Sequence, residues 1–194
     1  GWPRMTMRYG DRESGAPAPA DGAGLLAGRR IAIAGGGVAG LAAAAALARR
    51  GARVALFEQA GSLRAFGAGL QISPNGMAVL RALGTGDAVE AAGCRAEAVE
   101  LRDGLRGGQV LRLPVAGAEP PYVFLHRGSL LAPLAEAARA AGVEIFTGRR
   151  LDAAAEPSVE GRPLRIDGAA PELILGADGL HSRWRALVGP APPA

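Results

Sequence analysis

Lysine is absent from this chain, and all 22 basic residues are arginine. It has one cysteine, Cys94, and two histidines, and aromatic residues make up only 4%. Each shortage excludes something. A single cysteine permits no internal disulfide and no multi-cysteine metal site, and it suits a reducing, cytoplasmic setting. His126 and His181 stand far apart in sequence with no third ligand, so no metal is expected. The arginines are scattered rather than striped and no aromatics interleave them. The net charge of +4 therefore does not signal a nucleic-acid partner. No secretory-signal pattern is read at the N-terminus. The one long apolar run, residues 31–48, is interrupted by Gly35-Gly36-Gly37 and Gly40. It reads as strand, turn and helix rather than as a membrane span, and no membrane partner is expected.

What is present is apolar content: 49% of 194 residues, enough for one domain with a sizeable core. Residues 1–28, rich in Gly, Ala, Pro and Arg without apolar period, are expected to be a disordered extension. Residues 29–194 carry the periodic segments. Short strands are expected at 30–34 and 53–58, with an Ala-rich helix at 38–50 between them, ended by Gly51. Strand, glycine turn, helix and strand within thirty residues predict a parallel βαβ unit. Ser73-Pro74-Asn75 predicts a capped helix running to Leu83. Alternation around Asp103-Gly104 over 96–115 predicts a hairpin. Strands follow at 122–125, 143–146, 164–166 and 173–175. An amphipathic helix is expected at 129–141 and a short helix at the end.

Gly35-Gly36-Gly37-Val38-Ala39-Gly40 fits the pattern G-x-G-x-x-G. The first glycine allows the tight turn, the second lets a pyrophosphate approach the backbone, and the third lets the helix pack on its strand. The helix N-terminus then offers unpaired N–H groups and partial positive charge to phosphates. Glu58 lies 23 residues after Gly35, at the end of the second strand, where a carboxylate can accept both ribose hydroxyls of an adenosine. The bland alternative is a glycine turn with a solvent-facing glutamate. A ribose-binding Glu disfavours a 2′-phosphate but leaves FAD and NAD equally open.

Three further blocks carry a resemblance. Arg64-Ala65-Phe66-Gly67-Ala68-Gly69-Leu70-Gln71-Ile72-Ser73-Pro74-Asn75-Gly76, then His126-Arg127 with Leu130 and Leu131, then Gly176-Ala177-Asp178-Gly179-Leu180-His181-Ser182 with Arg185, stand in this order. Together with the glycine turn they resemble the single-component FAD-dependent aromatic hydroxylases, in pattern nearest the salicylate and 3-hydroxybenzoate branch. The resemblance implies an α/β fold: a Rossmann-like FAD/NAD(P)-binding domain with a parallel sheet, plus the first strands of a mixed-sheet substrate domain around 96–125. It implies FAD as cofactor, NAD(P)H as co-substrate, and hydroxylation of a small aromatic substrate with O₂ through a flavin hydroperoxide. The cofactor-binding residues it points to are Gly35, Gly36, Gly37, Val38, Ala39, Gly40, Glu58, Gln59, Arg64, Arg127, Leu151, Asp178 and Gly179.

The bland readings sit beside these. Arg127 is otherwise a surface arginine before a helix, and Asp178 a turn residue before Gly179. Ser182 and Arg185 either orient that loop or cap the last helix, Trp184 packs rather than stacks on a flavin, and Cys94 is inert. No catalytic base is identified. The family's third motif, a Gly-Asp pair followed by small residues and His, is not found, so the resemblance implies an incomplete chain. A missing C-terminal half or a homodimer is the expected partner. Another FAD reaction on the same fold (epoxidation, halogenation, drug inactivation) and an inactive truncated FAD-binding fragment remain open.

Overall fold

The computed structural model describes residues 24–63, 69–154 and 157–188. The sequence begins its regular structure as expected: β1 (Arg30–Ala34), α1 (Val38–Ala48) and β2 (Arg53–Glu58). β1 and β2 pair in parallel, Ile31 on Val54 through Ala34 on Phe57, which completes the βαβ unit. α1 ends on Gly51, whose φ of +94° lets Gly51 N–H reach Ala48 O and Ala52 N–H reach Leu47 O. Residues 24–28, assigned above to the extension, instead form turns joined to this corner. Leu26 N–H donates to Arg50 O and Gly28 N–H to Gly51 O, and Leu26 packs against the core.

After β2 come β3 (Gly69–Ile72), α2 (Pro74–Ala82), α3 (Gly86–Ala92), β4 (Cys94–Arg95), β5 (Ala98–Arg102) and β6 (Gln109–Pro114). Ser73 occupies the N-cap position of α2, but its hydroxyl does not cap the helix amides; it bonds the Asn75 side chain instead. The expected hairpin is β5–β6, reversed through Asp103, whose carboxylate accepts from the Leu105 and Arg106 amides. It pairs with no other strand among the described residues. Its register sets Val99 opposite Leu113 and Leu101 opposite Leu111 on one face. On the other face Glu100 pairs with Arg102 and Arg112.

The remaining elements are β7 (Val123–His126), α4 (Arg127–Ala140), β8 (Glu144–Thr147), β9 (Leu151–Asp152), β10 (Ser158–Val159), β11 (Arg162–Pro163), β12 (Leu173–Gly176) and α5 (Arg185–Val188). The strand expected at 164–166 does not form. Its apolar spacing is right, and Leu164 and Ile166 are both buried, but the reversal at Asp167 and Gly168 leaves only a bridge from Ile166 to Ala169.

Four strands form the central parallel sheet in the order β12-β1-β2-β8. Alternation assigns its two faces. Ile31, Ile33, Val54 and Leu56 face the helix layer, where Leu41 of α1 and Leu130 and Leu134 of α4 are fully or almost fully buried. Ala32, Ala34, Ala55 and Phe57 face the other way, under a small antiparallel sheet of β9, β10 and β11 that supplies Leu151 to a second core, joined there by Leu164 and Ile166. β3, β7 and β4 make a third, antiparallel sheet beside α4. No helix among the described residues is long and apolar enough to cross a membrane.

α4 closes the helix layer over α1, so its central leucine tests the main core. Leu134→Ala should destabilise the fold by about 2–5 kcal/mol, against about 0.5 kcal/mol or less for Val79→Ala on the exposed side of α2. Urea denaturation measures both; equal losses would remove α4 from the core.

Candidate nucleotide site

The four parallel strands end at one edge of the sheet, and the loops leaving β1, β2 and β12 meet there. This is the edge at which open α/β sheets bind ligands. The glycine turn leaves β1 with Gly35 N–H still bonded to Phe57 O of β2 at 2.8 Å, while Ala177 N–H bonds Ala34 O at 2.7 Å. Each glycine has a different reason. A Cβ on Gly35 would lie 2.3 Å from Ala177 O, at a φ of +108°. One on Gly40 would lie 1.9 Å from Gly35 O, so the start of α1 is pressed onto the turn itself. One on Gly37 would meet nothing within 4 Å. Its φ of −77° suits any residue, so nothing within the chain demands glycine there. The space before it is open, and α1 begins behind it with no side-chain cap and no acidic residue in its first turn. No acidic side chain of α1 itself offsets the partial positive charge of these amides.

Two clefts adjoin this turn. The first, about 530 Å³, is bordered by Gly36, Gly37, Val38, Ala39, Glu58 and Arg127, with Ser62 and Leu63 on its rim. The second, about 460 Å³, is bordered by Gly35, Gly37, Glu58, Gln59, Leu151, Asp178 and Gly179. Gly37, Glu58, Ala177 and Gly179 border both. Gly40 borders neither and serves packing. Leu151 borders the second cleft although its side chain is buried in the second core. Arg64 lies outside the described residues. Arg127, the first residue of α4, is exposed and has no carboxylate within ion-pair distance among the described residues.

Asp178 Oδ2 accepts the Arg183 N–H at 2.8 Å, which folds the 178–183 loop around the carboxylate. Its other oxygen, Oδ1, is buried without a partner among the described residues. Burial pushes this carboxyl up, but hydrogen bonding from the Ser182 hydroxyl and from the Arg183 and Trp184 amides outweighs that and holds it below the usual aspartate range. Ser182 also caps α5, its Oγ accepting the Arg185 N–H at 3.2 Å. Trp184 packs on Gly176 and against the second core rather than standing free. Arg150, His181 and Arg183 border the second cleft as well. Sequence reasoning missed Arg150 and Arg183 as site neighbours, because the β2–β8 pairing, with Glu58 beside Thr147, carries the chain after β8 to the cleft, and the β1–β12 pairing, with Ala34 beside Gly176, carries the chain after β12 there.

Residues 29–192 match the family model described as an FAD binding domain. The chain belongs to the FAD-binding domain family. FAD is thus the cofactor of this domain, and the residues at this sheet edge fit it: open space before Gly37, uncapped amides, a carboxylate at Glu58 and an oxygen of Asp178 without a partner among the described residues. This FAD-binding domain is 42% identical over 173 residues to 3-amino-4-hydroxybenzoate 2-monooxygenase of Streptomyces cremeus, covering 82% of the chain and 42% of that relative. It is 32% identical over 171 residues to 3-hydroxybenzoate 6-hydroxylase 1 of Aquipseudomonas alcaligenes, covering 81% of the chain and 42% of the relative. Among solved structures, the tetrameric form of 2-methyl-3-hydroxypyridine-5-carboxylic acid oxygenase superposes with a TM-score of 0.70 at 35% identity, over 84% of this chain and 42% of that one. The FAD-binding domain thus spans well under half the length of these proteins.

The glycines separate fold from binding. Gly37→Val should leave the nucleotide-free protein as stable as the parent yet abolish FAD binding, whereas Gly40→Ala should cost about 2 kcal/mol of stability or more. Thermal melts without nucleotide, followed by flavin fluorescence titration, check both. A destabilised Gly37→Val, or one that still quenches flavin, would contradict this division of roles.

Proposed function

We propose that this chain is the FAD-holding part of an NAD(P)H-consuming monooxygenase that hydroxylates a small aromatic compound. The observation that carries the reading is the convergence of the Gly35–Gly40 turn, Glu58, Arg127 and Asp178 on adjoining clefts at one sheet edge, in a chain of the FAD-binding domain family. The names of its relatives support the reaction class: each cited above acts on a small aromatic ring bearing a carboxylate.

Glu58 would accept the adenosine ribose hydroxyls, with Gln59 and Leu151 bordering the adenosine side. The amides of Gly37, Val38 and Ala39 would donate to the pyrophosphate. Arg127 offers a fixed fork of donors from the mouth of the first cleft, and Arg64 joins the set on sequence grounds. Asp178 and Gly179 would face the cofactor from the opposite loop, Oδ1 finding there the donor it lacks among the described residues. Bound FAD supplies electron transfer from NAD(P)H and activation of O₂ for insertion into the ring. The residues of the chain bind and orient it. The hairpin β5–β6 and the 96–125 stretch are proposed as the first part of a substrate domain.

FAD should bind more tightly than NADPH, and Glu58→Ala should cost about 1–3 kcal/mol of FAD affinity through lost charge-assisted hydrogen bonds. Titration by flavin fluorescence measures both, and tighter NADPH binding would overturn the cofactor assignment. The redox half is tested by adding NADH or NADPH and 3-hydroxybenzoate to FAD-loaded protein. FAD-dependent NAD(P)H oxidation supports the reading, and a protein that takes up no FAD overturns it.

A further inference from the structure

Glu58 ends β2 half-buried, and both its carboxylate oxygens are engaged within the chain. Oε2 accepts the Gly36 N–H at 2.7 Å and Oε1 accepts the Ala60 N–H at 2.8 Å. The first donor is in the glycine turn and the second in the loop after β2. The backbone of Glu58 is itself fixed: it pairs with Thr147 in the sheet, and its carbonyl accepts the Arg149 N–H at 2.9 Å. One side chain therefore joins two loops that border the first cleft and is anchored on a third segment. Gly36 lies flat on it, since a Cβ there would stand 3.0 Å from Glu58 Cβ and 2.6 Å from Leu63 Cδ2.

We propose that Glu58 is a positioning residue for the phosphate-binding turn in addition to accepting the ribose. The inference rests on the FAD reading above. By holding Gly36 N–H and Ala60 N–H, the carboxylate sets the path of the turn and hence the direction of the Gly37, Val38 and Ala39 amides that follow. Each carboxylate oxygen has two lone-pair positions, so each retains capacity for a ribose hydroxyl while keeping its amide. Ribose and phosphate recognition are then coupled through one side chain instead of contributing independently.

The sign of one substitution separates this role from plain electrostatics. Glu58→Gln removes a negative charge beside an anion site, so by Coulomb's law alone it should tighten binding of inorganic pyrophosphate, which has no ribose. Positioning demands the reverse, because glutamine turns an NH₂ toward one of the two amides and loses that hydrogen bond. Pyrophosphate titration followed by amide resonances should show weaker binding in E58Q. In the nucleotide-free protein, hydrogen exchange at Gly36 or Ala60 should quicken by about tenfold, while Gly35 N–H, held by Phe57 O, stays as in the parent. Glu58→Asp keeps the charge but is too short to span both amides. It should show the same exchange pattern, and it guards against a glutamine variant that fails to fold. Tighter pyrophosphate binding in E58Q, or unchanged exchange at both amides, overturns the proposal. If pyrophosphate binds the parent too weakly to follow, exchange alone decides. If the parent fails to bind FAD while exchange responds as expected, the FAD reading falls and the positioning role stands. If FAD affinity drops with exchange unchanged, the reverse holds.

Discussion

The close approach of three backbone segments at Gly35 is the constraint on which the site depends. The turn passes so near the loop after β12 that no side chain fits at position 35, and the start of α1 is pressed onto that same turn at Gly40. This contact places Asp178 and Gly179, from a loop more than a hundred residues later in the chain, against the glycine turn. The parallel pairing of β1 with both β2 and β12 makes the approach possible, and alanine at positions 32, 34 and 55 keeps that side of the sheet thin enough for the β9–β11 layer to close over it. Backbone proximity, more than any side-chain contact, makes three distant stretches of sequence into one site.

Much of this was legible in the sequence. The βαβ unit, its glycine turn and Glu58 are local in sequence, because a turn residue, a cap and an alternating strand act over a few positions. Arg127 and Asp178 were found through resemblance, and the clefts contain them both. What escaped is non-local or irregular. Strands β3, β9 and β10 are two to four residues long and carry no period of their own. The 164–166 segment has strand spacing, but Asp167 and Gly168 reverse the chain before a ladder can form. Residues 24–28 lack apolar period, yet they hydrogen-bond to the Arg50–Gly51 corner. Arg150 and Arg183 come to the site only because strand order brings them, and strand order has no short-range signature.

The two faces of the central sheet illustrate a division of labour. Isoleucine, valine and leucine on the helix side fill the space between sheet and helices, the larger and better shielded core. On the opposite side Phe57 stacks on Phe146 at 5.1 Å and Arg149 lies over the Phe146 ring. These aromatics fill the volume that neighbouring alanines leave. The second core is small, but it carries Leu151 and Trp184, both of which border the second cleft. Packing there and the shape of the second cleft are thus the same question.

Trp184 gives the site an optical property of its own. It is one of two tryptophans in the chain, and it borders both the second cleft and the groove beside α5. An indole emits in the range where oxidised flavin absorbs, so with FAD held in that cleft, as proposed, its energy would pass to the flavin instead of leaving as light. The emission of Trp184 would thereby become a built-in gauge of occupancy, readable without any label.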